Sequence, residues 1–216
     1  MHLPALTKRA TLLLGLVLAV VVLWGQAQQL KKERQCRAPV QHRGFLTPGE
    51  CEAVIRAANT LGMQRSEVVG IGGNEVSGVR TSSQRFIPLD HPAVAGIVDK
   101  AEALLGVPRK YFEEVQVVRY DVDQRYEAHY DSDERTPVAD LRGDTLLMYL
   151  NAVPDGGETE FPKLGLVVQP EQGKAIHWKN VDSAGHLLPC AFHGGRPVRQ
   201  GAKWICTVWA RLRAQG

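Results

Sequence analysis

The sequence has no CxxC pair, no basic stretch interleaved with aromatics and no internal repeat, and each absence removes a class of protein. Structural zinc sites draw on closely spaced cysteines, and Cys36, Cys51, Cys190 and Cys206 are too scattered for that. The 26 Lys and Arg against 23 Asp and Glu leave a formal charge of +3, and the cationic residues are dispersed, so no nucleic-acid partner is expected. With no repeat and 216 residues, the chain is long enough for one well-buried domain.

An apolar run of comfortable bilayer-spanning length is also missing. Lys8 and Arg9 precede the apolar stretch Ala10 to Trp24, which falls short of the ~20 residues a spanning helix needs, although Gly25 to Ala27 bring it close. Gln26 to Gln29 and the basic cluster Lys31, Lys32, Arg34 and Arg37 follow. Residues 1–30 therefore read as a signal-anchor or signal peptide, 31–42 as a basic linker and 43–213 as the folded domain. An uncleaved anchor fits better, because Gln-Ala-Gln makes a poor cleavage site and Trp24 suits a membrane interface. Either reading sends the domain into the secretory pathway, to the endoplasmic reticulum membrane or another such compartment, on the lumenal side. Positive residues on both flanks leave orientation undecided. An oxidising lumen permits disulfides; four cysteines allow three pairings, Cys36 and Cys51 are nearest in sequence, and Cys51 and Cys206 read equally well as buried small hydrophobes.

Thr47, Pro48 and Glu50 form a helix start, as N-cap, first position and third position, with Val54, Ile55, Ala58 and Leu61 on one face. Gly70 to Gly78 is a glycine-rich loop, Val79 to Phe86 is extended, and a second helix runs from about Pro92 to Leu105, stopped by Gly106 and Pro108. From Phe112 onward the pattern changes to short β-type runs: Val115 to Tyr120, Glu127 to Asp131, Thr145 to Asn151, Leu166 to Gln169, Lys174 to Trp178, Ala191 to His193, and Trp204 to Arg211. The fold class expected is α+β, mainly β: a double-stranded β-helix (jelly roll) core with supporting N-terminal helices.

His129 and Asp131 stand two apart in an expected strand, so both side chains face one way. A third ligand from a distant strand, His193, completes two imidazoles and one carboxylate, a set that leaves adjacent positions open on non-haem Fe(II). Ten residues further on, Lys203 opens the last β run, and an inward-facing ammonium needs an anion such as a cosubstrate carboxylate. His177 reads as a core or rim residue and His186 as a decoy ligand in a loop.

This order of HxD, His and Lys resembles the 2-oxoglutarate dioxygenases, and Tyr120 through Tyr126 to His129 and Asp131 is similar to the prolyl 4-hydroxylase pattern Y-x-x-G-x-x-Y-x-x-H-x-D. Asp123 stands where that family has glycine, a position that Asp tolerates through its access to the left-handed region. Arg80-Thr81-Ser82-Ser83, Leu147 to Asn151, Gly156 to Pro162, and Pro197 to Trp204 with Trp209 extend the resemblance over about residues 43 to 212. It implies Fe(II) on His129, Asp131 and His193, with Lys203 pairing the distal carboxylate of 2-oxoglutarate. Tyr120 and Thr159 would hold the same carboxylate, Trp209 would line its pocket, and Arg80, Ser82 and Tyr126 would lie on the peptide-binding side. The implied reaction is hydroxylation of peptidyl proline in a proline-rich chain, consuming O2 and 2-oxoglutarate, releasing succinate and CO2, with ascorbate keeping the iron reduced. Two rivals stay open: the same chemistry on another residue or a small molecule, and a non-catalytic jelly-roll binding module.

Overall fold

The structure is a computed structural model that describes residues 13–15, 17–26, 36–70, 73–75, 78–133 and 135–212. Residues 17–26 are helical with exposed Leu, Val and Trp side chains, and no helix among the described residues is long and apolar enough to cross a membrane. The linker cluster Lys31, Lys32 and Arg34 lies outside the described residues.

In chain order the elements are β1 (Val40–His42), α1 (Pro48–Leu61), β2 (Gln64–Arg65), β3 (Val68–Gly70), β4 (Gly73–Glu75), β5 (Ser83–Ile87), α2 (Ala95–Leu105), β6 (Val115–Tyr120) and β7 (Tyr126–His129). Then follow β8 (Arg142–Tyr149), β9 (Asp155–Gly156), β10 (Thr159–Phe161), β11 (Leu166–Val168), β12 (Ala175–Lys179), β13 (His193–Gly195), β14 (Val198–Gln200) and β15 (Lys203–Arg211). The major sheet has seven strands in the order β1-β12-β8-β15-β6-β5-β2, and the minor sheet four in the order β11-β10-β13-β7, all pairs antiparallel. This is the mainly β jelly roll expected, with α1 and α2 on one side of it.

The alternation of side chains along β6, β8, β12 and β15 splits the interior in two. Val115, Val117, Leu146, Met148, Cys206 and Val208 face Val54, Ala58, Ile97 and Val98 of the helices. The other parity (Val118, Tyr120, Leu147, Tyr149, Ile176, Trp178 and Ile205) faces Phe161 and Val168 of the minor sheet. The helices are thus the backing of the major sheet, and the chemistry-bearing side chains lie between the sheets. Helix α1 begins as its sequence indicates: Thr47 accepts the Glu50 N–H at 3.2 Å while the Glu50 carboxylate accepts the Thr47 N–H at 2.8 Å. Glu50 also pairs with Lys100 of α2 at 2.7 Å, joining the two helices.

Several boundaries differ from the sequence reading. Val40–His42, within the stretch read as linker, is the edge strand paired to β12. Strand β7 ends at His129, so Asp131 enters from the bend after the strand. The run expected over Ala191 to His193 begins at His193, because Pro189–Ala191 closes a 3-10 turn with proline at its start. The stretch read as a glycine-rich loop from Gly70 is instead part of a hairpin that starts two residues earlier, β3 pairing with β4 from Val68 to Glu75. Of the three cysteine pairings, the fold contains Cys36–Cys190 and leaves Cys51 and Cys206 as buried thiols. Asp123 has φ of 66°, the left-handed conformation that a glycine would supply.

Candidate active site

His193 of β13 lies opposite His129 of β7 in the minor sheet, with ring centroids 4.4 Å apart. The Asp131 Oδ1 stands 3.6 Å from His129 Nε2 and 3.9 Å from His193 Nε2. Among the described residues these three form a group whose donor atoms all lie within 4.8 Å of one another. Each imidazole is turned the same way. His129 Nδ1 meets the Glu127 carbonyl at 2.8 Å and His193 Nδ1 meets the Ala191 carbonyl at 2.9 Å, so Nδ1–H donates and each Nε2 lone pair points to Asp131. Two neutral imidazoles and one carboxylate are the donor set suited to Fe(II).

For Asp131 and His193 the electrostatics hold the same protonation states. Burial alone would raise the Asp131 carboxyl, but His193, His129 and Arg142 outweigh it and keep the carboxyl well below the usual range. Burial lowers His193 to about 4 against the opposing pull of Asp131, so the imidazole is neutral at pH 7 and free to ligate.

Lys203 is 2% exposed at the closed end of the same cleft, its ammonium 5.3 Å from the Tyr120 ring centre and 5.8 Å from that of Tyr149. Burial lowers it to about 7, partly opposed by Glu158. Tyr120 lies opposite Lys203 in the register, and Thr159 accepts the buried Tyr149 hydroxyl at 2.8 Å, which leaves its own proton for a ligand. Gly157 allows this packing: it has φ of 69°, and a Cβ there would sit 3.2 Å from Lys203 Cδ. Asn151 braces the start of β15 by accepting the Trp204 N–H and donating to the Ala202 carbonyl, both at 2.7 Å.

The cleft encloses about 930 Å³. Trp209 also lines it, beneath the Arg142 guanidinium, 3.6 Å from the ring centre, and Arg142 is clamped by both oxygens of Glu113 at 2.8 Å. Tyr126 stacks on His129 at 3.7 Å and has the Arg80 guanidinium 4.8 Å from its ring centre, and both Tyr126 and Arg80 line the cleft. Ser82 does not. It is fully buried behind Arg80, bonded to Ser66 at 2.8 Å. His186 is bonded to Asp182 in its own turn, and His177 to Asp144, so neither joins the site.

Sequence reasoning missed Thr145, Tyr149, Trp178, Asn180 and Arg142. Strand parity held a signal for the first two, since Thr145, Leu147 and Tyr149 alternate on the face that β15 presents through Trp209, Thr207 and Ile205.

Residues 115–211 match the 2OG-Fe(II) oxygenase superfamily. The chain is 36% identical over 200 residues to Prolyl 4-hydroxylase 2 of Arabidopsis thaliana, covering 79% of this chain and 66% of that protein. With Prolyl 4-hydroxylase 5 of the same plant it shares 37% identity over 198 residues, 80% of this chain and 67% of that one. It spans about two thirds of the length of these relatives. Among solved structures it is similar to the 2-oxoglutarate complex of the viral collagen prolyl hydroxylase of Paramecium Bursaria Chlorella virus-1, with TM-score 0.68 and 31% identity, covering 82% of this chain and 97% of that one. On this similarity and on the site geometry that accompanies it, the chain belongs to the prolyl 4-hydroxylase family of 2OG-Fe(II) oxygenases.

Proposed function

We propose that the protein is an Fe(II)- and 2-oxoglutarate-dependent dioxygenase that hydroxylates peptidyl proline at C4. One observation carries this reading: a single cleft holds a buried, anion-seeking lysine at its closed end and the two-histidine, one-carboxylate group further out. His129, Asp131 and His193 would hold the iron. Lys203 would take the distal carboxylate of 2-oxoglutarate, with Tyr120 and Thr159 donating hydroxyls to it. When bound, iron with O2 couples decarboxylation of 2-oxoglutarate, to succinate and CO2, with transfer of one oxygen atom to a substrate C–H bond. The protein places the reactants and excludes water, Trp209 and Arg142 closing one wall of the cleft. Arg80 and Tyr126, beside His129, are positioned to contact an extended peptide. Ascorbate would restore ferrous iron after uncoupled turnovers.

The test is succinate release that requires iron, 2-oxoglutarate and a proline-rich peptide, with hydroxyproline identified by mass spectrometry. Turnover of 2-oxoglutarate with no peptide product would keep the chemistry and sink the prolyl assignment. No turnover with any peptide would favour the binding module. We also infer that the apolar stretch from Ala10 to Trp24 delivers the domain to the secretory pathway as an anchor; a protease-sensitive, carbonate-extractable domain in intact microsomes would refute it.

A further inference from the structure

Asp131 is oriented by residues outside the proposed ligand set. Its Oδ2 accepts the Thr145 hydroxyl at 2.6 Å, Thr145 Oγ1 accepts the Asn180 amide at 2.7 Å, and Asn180 Oδ1 accepts the Trp178 indole N–H at 2.9 Å. The chain is sealed: Trp178 is 4% exposed, and Asn180 and Thr145 1% each. Its backbone is fixed too, since Trp178 and Thr145 are register partners and Asn180 is bonded through its N–H to Gly143 and through its carbonyl to Leu188.

The polarity of these bonds follows from donor chemistry. An indole N–H can only donate, so Asn180 must turn its oxygen to Trp178 and its NH2 to Thr145. Thr145 then spends a lone pair on that amide, and its single proton has one direction left, toward Asp131 Oδ2. Oδ1 alone is left facing the two Nε2 atoms. A carboxylate that ligated through both oxygens would occupy one of the positions that cosubstrate and oxygen need.

We propose that Trp178, Asn180 and Thr145 are positioning residues, a one-way hydrogen-bond relay that commits Asp131 to ligation through a single oxygen. The proposal rests on the iron reading above. Trp178 also packs on the His193 ring at 4.7 Å, so one indole steadies two of the three ligands.

The full-length protein, free of metal, is titrated with Co(II), whose visible absorption reports both affinity and coordination number. Thr145→Val keeps the shape and removes the proton donor. Asn180→Asp keeps the shape and reverses the relay, because an acceptor-only carboxylate takes the Trp178 N–H and draws the Thr145 proton away from Asp131. Each is expected to weaken Co(II) binding by about 10- to 100-fold and to alter the absorption bands. Thr145→Ser, which keeps the hydroxyl, is expected to restore both. Wild-type affinity and spectrum in Thr145→Val and Asn180→Asp would overturn the relay. Asn180→Asp carries the test alone if Thr145→Val does not fold, and an Asn180→Asp protein that does not fold counts against the proposal, which expects a folded chain with a weakened site. A wild-type protein that binds no Co(II) would overturn the iron reading itself.

Discussion

A lysine that is 2% exposed and has no ion pair among the described residues keeps its proton at a cost, and burial brings the Lys203 ammonium down to about 7 from its ordinary 10.5. Between those two values the unfolded chain holds a proton that the fold has released, so this group makes the ligand-free protein more stable as pH rises through that window. A bound carboxylate reverses the balance. 2-Oxoglutarate affinity is expected to be flat below about pH 7 and to fall by up to roughly tenfold per unit above it, with net proton uptake on binding at pH 8. Calorimetry in buffers of different ionisation enthalpy measures that uptake, and none at pH 8 would show that Lys203 is not the anion partner. Lys203→Ala is expected to raise the 2-oxoglutarate KM by roughly tenfold or more. His129→Ala and likewise Asp131→Ala should abolish turnover, whereas His186→Ala, in its Asp182-bonded turn, should leave it within about twofold. The opposite pattern in a peptide hydroxylation assay would overturn the ligand assignment.

Elements decide how those residues arrive. The 3-10 turn Pro189–Ala191 supplies the carbonyl that orients His193, and Cys36–Cys190 ties that turn to the chain ahead of β1. Cys190→Ser is expected to cost about 2–4 kcal/mol in denaturant unfolding and to weaken Co(II) binding as the turn loosens. Unchanged metal affinity would confine the disulfide to a stabilising role. Such links were beyond the sequence, because three pairings of four cysteines are equivalent until the chain folds back 154 residues. What was legible rested on local chemistry: the Thr47–Glu50 capping box and the β6 run Val115–Tyr120 stand where they were read. That His129, Asp131 and His193 converge, with Lys203 buried in the same cleft, was legible from spacing and family pattern, although β7 stops two residues before Asp131. Strand β1 was not. Its three residues carry no alternation long enough to read, and pairing with β12 alone makes them a strand. The relay behind Asp131 was equally hidden, since Asn180 lies outside any strand and its role depends on Trp178 and Thr145 meeting across the sheet.

At the scale of the molecule, the helices and the chemistry lie on opposite faces of the major sheet, and nothing described before Cys36 contributes to either face. A chain starting at residue 36 is therefore expected to bind Co(II) and 2-oxoglutarate as the full chain does, whereas one starting at residue 43 loses β1 and the disulfide and unfolds at lower denaturant. Equal midpoints for the two truncations would show that β1 is dispensable. The acid limit is also collective. His193 stays neutral in the fold down to about 4, while the unfolded chain protonates near 6.5, so stability is expected to fall as pH drops through that interval.

The His129 side chain is 21% exposed and that of Asp131 4%, while Lys203 as a whole residue is 2% exposed. On the proposed reading, a molecule reaching Lys203 would pass the more exposed His129, and a peptide across Tyr126 and His129 would lie outside it. Under the proposed function this grading predicts an ordered queue, cosubstrate before peptide and succinate released after the hydroxylated chain, which initial-rate and product-inhibition kinetics check.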